Sequence, residues 1–177
     1  MKNFLWSLAI ILVVALGIWA ALRYGRGGAV DLWGAGSSAS STPAGDAGTY
    51  TEDSLGFSFA VPPGMHTQKL LDDNGETILV QPAGSDDGFQ VYITAYGDDA
   101  SSITKANIEK QAGMTVANDS PITVANVARG LEFTSTGDNP PTLQAWFVYN
   151  GNLYQAQTWA SDPALMQQIL GSWKFTQ

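Results

Sequence analysis

Few residues in this 177-residue chain have side chains suited to catalysis or metal binding. There is one histidine, His66, shortly after Pro63-Gly64, and there is no cysteine. A Ser-His-Asp site would have to be assembled around His66, yet no G-x-S-x-G elbow occurs and no carboxylate stands at a telling spacing. His66 therefore reads as a loop or strand-edge histidine. Acidic residues gather in four short knots: Asp72 to Glu76, Asp86-Asp87, Asp98-Asp99 and Asp138. Calcium takes about six to eight oxygens, and an EF-hand loop has D-x-[DN]-x-[DN]-G with a Glu at its last position. None of the knots fits. Each falls between expected strands or before an expected helix, where Asp and Asn bond to nearby backbone and favour turns. The glycines sit in turns and in an N-terminal tether, not in a phosphate-binding loop. Lack of cysteine excludes thiolate metal sites, disulfides, lipid-modified cysteine and thiol catalysis together. The sequence thus points to no catalytic residue, no metal and no cofactor.

What remains is binding chemistry. The stretch "TLQAWFVYNGNLYQAQTW" has Asn150-Gly151 at its centre, a dipeptide that favours a two-residue hairpin turn because both residues tolerate φ > 0. With that turn, Phe147 pairs with Tyr154 and Ala145 with Ala156 on an apolar side. The other side carries Trp146 beside Gln155, Gln144 opposite Gln157, and Val148 beside Leu153. Amides around an indole suit a sugar ring or a peptide, since the ring stacks while the amides exchange hydrogen bonds. Tyr92, with Gln90 and Tyr96, extends this surface if its strand lies next door. Trp146, Gln144, Gln155, Gln157 and Tyr92 are accordingly the candidate ligand-binding residues. The competing reading is a helix packed over Trp146, with the glutamines as solvated strand ends. A register slip of one residue would exchange the two faces.

These residues must be held by strands. Phe57, Phe59 and Val61 alternate with Ser58 and Ala60, as do Phe89, Val91, Ile93 and Ala95 with Gln90, Tyr92, Thr94 and Tyr96. Pro63-Gly64 suits a type II turn and Asn74-Gly75 a tight hairpin. A helix is expected from Thr104, as N-cap, to about Gly113, with Ile103 and Ile108 as a hydrophobic staple. A second has Asp162 as N-cap, Pro163 at its first position, Leu165, Met166, Ile169 and Leu170 inward, and Gly171 after its end. The span "ITVANVARGLEFTSTG" gives one or two strands, and "SWKF" a short last one. The fold class is α+β: a mostly antiparallel sheet of about seven strands with two short helices packed on it, over residues 49–177.

Ahead of that domain, Phe4 to Leu22 are nineteen residues without a charge. As a helix they would span roughly 28 Å, close to the ~30 Å bilayer core. Arg23, Tyr24 and Arg26 follow, where a signal peptidase would need small residues. Residues 1–24 are therefore expected to be a transmembrane anchor, with the lipid bilayer as partner and Gly17 and Ala21 as a small-xxx-small helix-packing pair. The alternative is a signal peptide cut after Ala29. Lys2 on one side and Arg23 and Arg26 on the other nearly tie under the positive-inside rule. The short tail before a long exported domain favours an extracytoplasmic C-terminal part. Residues 25–48, rich in Gly, Ser and Ala, form a flexible linker with a mean reach of roughly 27 Å, Asp31-Leu32-Trp33 being its one apolar spot. From residue 44 on, five Lys/Arg stand against fifteen Asp/Glu, a net charge of about −10. Such a surface repels phosphate backbones and argues against nucleic acid.

The string "GFSFAVPPGM" after an N-terminal Tyr, an antiparallel sheet interrupted by a helix, and a last helix running into "ILGSWKF" together resemble the PsbP-like fold. That fold is named for the extrinsic photosystem II subunit and includes many bacterial membrane-tethered domains. The resemblance covers residues 49–177 and rests on packing motifs, none of them a site. It implies an accessory or binding module without catalysis, and the anchor of this chain argues against a photosynthetic role. The expectation is a single-pass anchored, extracytoplasmic accessory domain that contacts a protein or glycan partner near the membrane. A structural assembly subunit of a membrane complex is the alternative, and a hydrolase-like enzyme the least supported one.

Overall fold

The computed structural model describes residues 40–42, 48–85, 87–137 and 140–176. The expected anchor, with Gly17 and Ala21, and most of the linker lie outside them. Among the described residues no helix is long and apolar enough to cross a membrane.

Turn chemistry sets the strands. Asn150 and Gly151 both take left-handed backbone, φ 47° and 72°, so β9 (Thr142–Tyr149) returns directly into β10 (Asn152–Trp159) with Tyr149 opposite Asn152. Pro63-Gly64 turns β3 (Phe57–Val61) into β4 (Met65–Asp72), with Gly64 at φ 77° and Met65 N donating to Pro62 O at 3.1 Å. The next turn sits one residue earlier than the Asn-Gly pair suggests. Asp72 pairs with Gly75, leaving Asp73-Asn74 between β4 and β5 (Gly75–Pro82). The Asp72 carboxylate accepts from Asn74 N at 2.7 Å and Gly75 N at 2.9 Å, an Asx turn that overrides the Asn-Gly preference.

The remaining strands are β1 (Ser40–Thr42), β2 (Gly48–Glu52), β6 (Phe89–Ala95), β7 (Val116–Val124), β8 (Ala128–Ser135) and β11 (Lys174–Phe175). A large antiparallel sheet runs β1-β4-β5-β6-β10-β9-β8-β7, and a small one β11-β3-β2. "ITVANVARGLEFTSTG" thus yields the end of β7 and all of β8, joined through Ala125 and Asn126 at positive φ. Helix α1 (Lys105–Ala112) begins at Thr104, whose hydroxyl accepts from Asn107 N, and ends at left-handed Gly113. Helix α2 (Pro163–Ser172) is capped by Asp162 accepting from Leu165 N. It runs past Gly171 because Ser172 is held at both ends: its hydroxyl donates to Ile169 O and accepts from Ala60 N.

Two cores lie on opposite faces of the large sheet. On one, Ile78, Val80, Phe89, Val91, Ile93, Phe147 and Tyr154 pack against Phe57 and Phe59 of the small sheet and Leu165, Met166 and Ile169 of α2. Trp173, at the exit of α2, stacks on Phe57 at 4.7 Å and Phe59 at 5.0 Å, and meets Phe147 and Tyr154 edge-on. On the other face, Ile103, Ile108, Tyr96, Val116, Leu131, Phe133, Trp146 and Leu153 form a smaller cluster toward the β8–β9 end.

In β8, backbone approach leaves no room for a side chain at Gly130. A Cβ there would lie 1.9 Å from Trp146 O and 2.7 Å from Phe147 Cα. Gly97 has nothing within 4 Å. Gly130→Ala is expected to cost about 2–4 kcal/mol in urea unfolding and Gly97→Ala under ~0.5 kcal/mol; equal midpoints for the two would refute the β8–β9 pairing.

Candidate functional site

The hairpin register places the candidate residues in two rows across the large sheet. One runs Leu131, Trp146, Gln155, Tyr92, Thr77, Leu70; the other Phe133, Gln144, Gln157, Gln90, Leu79, Gln68. Tyr92 directly opposes Gln155, so all five candidates share one face.

They are not equally open. Trp146 is 3 % exposed, edge-on to Phe133 at 5.8 Å, in the cluster that includes Ile108 of α1. Its indole N–H donates to Gln144 Oε1 at 3.2 Å, and Gln144 Nε2 donates to Thr142 Oγ1 at 2.8 Å and Gln157 Oε1 at 2.9 Å. The amides therefore satisfy a buried tryptophan, which is not an open stacking platform, and Gln144 is 4 % exposed. A helix-side cluster does cover Trp146, as the competing reading held. Tyr92 is buried as well, its ring over Gly75, where a Cβ would lie 2.9 Å from Tyr92 Oη. Burial first, then the charge of Asp72, pushes its phenol up to about 12, with Thr94 pulling the other way.

Beyond the cluster the face stays half-open. Gln68, Leu70, Thr77, Leu79, Gln90, Gln155 and Gln157 are all half-buried, and none is charged. His66, also half-buried, sits at its rim on β4 opposite Gln81. This strip provides amide donors and acceptors and leucine contacts, but no nucleophile beside a base. Among the described residues no group of three or more His, Asp or Glu is placed to hold a metal ion.

A second constellation lies on the opposite face, where the two sheets meet. Lys69 Nζ of β4 reaches Glu52 Oε2 of β2 at 2.6 Å and Glu76 Oε2 of β5 at 2.7 Å. Tyr50 and Ser54 hydroxyls also donate to Glu52. Burial works against ionisation of Glu52, but hydrogen bonds from Lys69, Ser54 and Tyr50, with the lysine charge, hold it below the usual carboxylate range. At Glu76 burial dominates; with the repulsion of Glu52 it outweighs Lys69 and leaves Glu76 raised. Lys69 is penalised by burial, yet its bonds to both carboxylates raise it. Tyr50 is raised by burial, then by its bond to Glu52. Three charges from three strands make this an ionic joint between sheets. Sequence spacing hides it, although a lysine at an inward position, two residues from buried Thr67, is a signal.

No protein-family profile matches the chain, and no curated protein does. Among solved structures, the solution structure of cyanobacterial PsbP (CyanoP) from Synechocystis sp. PCC 6803 matches with a TM-score of 0.50. The match covers 85% of this chain and 99% of that one, at 14% sequence identity. The chain has a PsbP-like fold, with the mostly antiparallel sheet and two helices that the resemblance implied.

The joint has a definite pH signature. Glu52, depressed when folded, stabilises above its unfolded pKa of about 4.3, and that contribution disappears as pH falls through its folded value. Glu76, raised when folded, acts oppositely: ionised it costs stability, which returns as pH falls through its folded value. Glu52→Gln is expected to lose about 1–2 kcal/mol at pH 7 and to flatten the acid limb. Glu76→Gln should lose less at pH 7 and remove the gain that protonation of Glu76 brings on acidification. Thermal melts between pH 3 and 8 decide it; matching curves for the two variants would contradict the assignment.

Proposed function

We propose that this chain is a single-pass membrane-anchored, non-enzymatic accessory domain whose half-open sheet strip contacts a protein or envelope ligand close to the bilayer. The observation that carries the reading is the strip itself. In a chain of net charge −8, the outward residues from Gln68 across to Gln157 are amides, hydroxyl and leucine, without one carboxylate. An uncharged strip in an acidic chain suits a partner that displaces water at low electrostatic cost. The PsbP-like fold supports the accessory role, and the nineteen-residue uncharged stretch Phe4–Leu22 supports the anchor.

Because Trp146 is covered, the contact residues are Gln155, Gln157 and Gln90, with Leu79 and Gln68, while Trp146, Gln144 and Tyr92 support them from beneath. The second reading, an assembly subunit gathered through Gly17 and Ala21, draws on the small-residue spacing of the anchor.

A photo-crosslinking residue at Gln90 of the full chain, in native membranes, tests both. The chain is expected to resist carbonate extraction and give discrete adducts that Gln157→Arg reduces at least about fivefold, roughly 1 kcal/mol. Adducts indifferent to Gln157→Arg overturn the strip. Adducts lost on Gly17→Ile with Ala21→Ile, the domain still folded, transfer the contact to the anchor. Release of the chain by carbonate overturns the anchoring.

A further inference from the structure

The outward face of the large sheet holds more amide than the chain itself uses. Gln144 is fully engaged: Nε2 donates to Thr142 Oγ1 at 2.8 Å and Gln157 Oε1 at 2.9 Å, and Oε1 accepts from the Trp146 indole. Gln157 enters that network through Oε1 alone, so its Nε2 donors are left over. The side-chain amides of Gln68, Gln90 and Gln155 bond to no other described residue. Neither does that of Gln81, two positions from Leu79 on the same face of β5. All of these but Gln144 are half-buried. A primary amide carries two donors and an acceptor, which stay on water until a ligand takes its place.

Size and charge narrow the occupant. The strands β4, β5, β6 and β10 are consecutive, so the row Gln68, Leu79, Gln90, Gln157 crosses three strand spacings, about 14 Å. Along β5, Thr77 to Gln81 adds about 14 Å in the other direction. The flat area is on the order of 200 Å², against roughly 800 Å² that one partner gives to a stable protein interface. A short linear ligand fills it, whereas a protein partner needs several times more. Carboxylates stand at its ends. Asp72 closes the β4–β5 turn, and Asp87 accepts at 2.8 Å from the indole of Trp159, two residues past Gln157. They repel an anion and hold a cation away from the amides. That leaves an uncharged occupant.

We propose that the strip binds an uncharged N-acetylated oligosaccharide lying across β10, β6, β5 and β4. An acetamido group offers one N–H and one C=O, the complement of the acceptor and donors of a glutamine amide, and its methyl suits Leu79 and Leu70. Gln157, Gln90 and Gln68 take the acetamido groups, while Gln155, Thr77 and Gln81 meet sugar hydroxyls along the sides. Adjacent strands stand about one sugar ring apart, so a linear glycan repeats in step with the row. The oligosaccharide is the envelope ligand of the contact proposed above, and it depends on this strip being the contact surface.

Glutamine side-chain NMR signals of the isotope-labelled full chain in detergent micelles read the site directly during titration with chitotetraose, the tetramer of N-acetylglucosamine. Those of Gln68, Gln90, Gln155 and Gln157 are expected to shift, with half-saturation at about 1 mM or below. Cellotetraose, with hydroxyls in place of the acetamido groups, is expected to bind at least about tenfold more weakly. Gln90→Leu with Gln157→Leu should weaken chitotetraose binding at least about tenfold, a backbone spectrum like the parent's showing that the fold is kept. Should that pair not fold, Gln68→Leu at the other end of the row is expected to weaken binding in the same direction. No shift at about 10 mM chitotetraose, shifts confined to residues off the strip, or equal binding of cellotetraose overturns the oligosaccharide. The photo-crosslinking at Gln90 separates the two proposals. Discrete protein adducts with no chitotetraose shift keep the strip as a protein contact and remove the oligosaccharide; strip shifts without protein adducts uphold the oligosaccharide.

Discussion

The stack of Trp173 on Phe57 and Phe59 makes one domain of two sheets. A three-stranded sheet with strands of five, five and two residues does not stand alone in water. It is stable here because Phe57 and Phe59 are fully buried against the large sheet and because α2 delivers Trp173 over them. The seam is apolar to a fault. Trp173 Nε1 and Tyr154 Oη are buried without a hydrogen-bond partner among the described residues, a polar cost that the aromatic packing outweighs. At the rim of the same seam, the Lys69 joint ties β2 to β4 and β5 by charge.

This arrangement decides where function can reside. One face of the large sheet is closed by the small sheet and α2, and the β8–β9 end of the other is closed by the cluster around Trp146 and α1. Among the described residues, the rows from Gln68 and Leu70 of β4 to Gln157 and Gln155 of β10 are what remains, and their residues are uncharged, with Asp72 at their end. A surface of amides and leucines offers hydrogen bonds and apolar contact rather than charge, and that is the chemistry the proposed contact would use.

Local chemistry was legible in the sequence wherever one dipeptide or one cap decides the geometry. Asn150-Gly151 set the register of β9 and β10, and with it which residues share a face with Trp146. Thr104 and Asp162 started their helices as expected. Where a second local group competes, the sequence was ambiguous: the Asp72 carboxylate moved the β4–β5 turn off Asn74-Gly75, and the Ser172 hydroxyl carried α2 past Gly171. Burial of Trp146 was beyond periodicity, which identifies a face without identifying its cover. The Lys69 joint was the least visible, because Glu52, Lys69 and Glu76 come from three strands whose adjacency is a property of the topology.

Hydrogen exchange on the full chain tests the seam most directly. If Trp173 joins the sheets into one cooperative unit, amides of β3 and α2 exchange at the same slow rate as those of β6, β9 and β10, through global opening. Exchange of β2, β3 and α2 well ahead of the large sheet would make the small sheet a satellite and contradict the account.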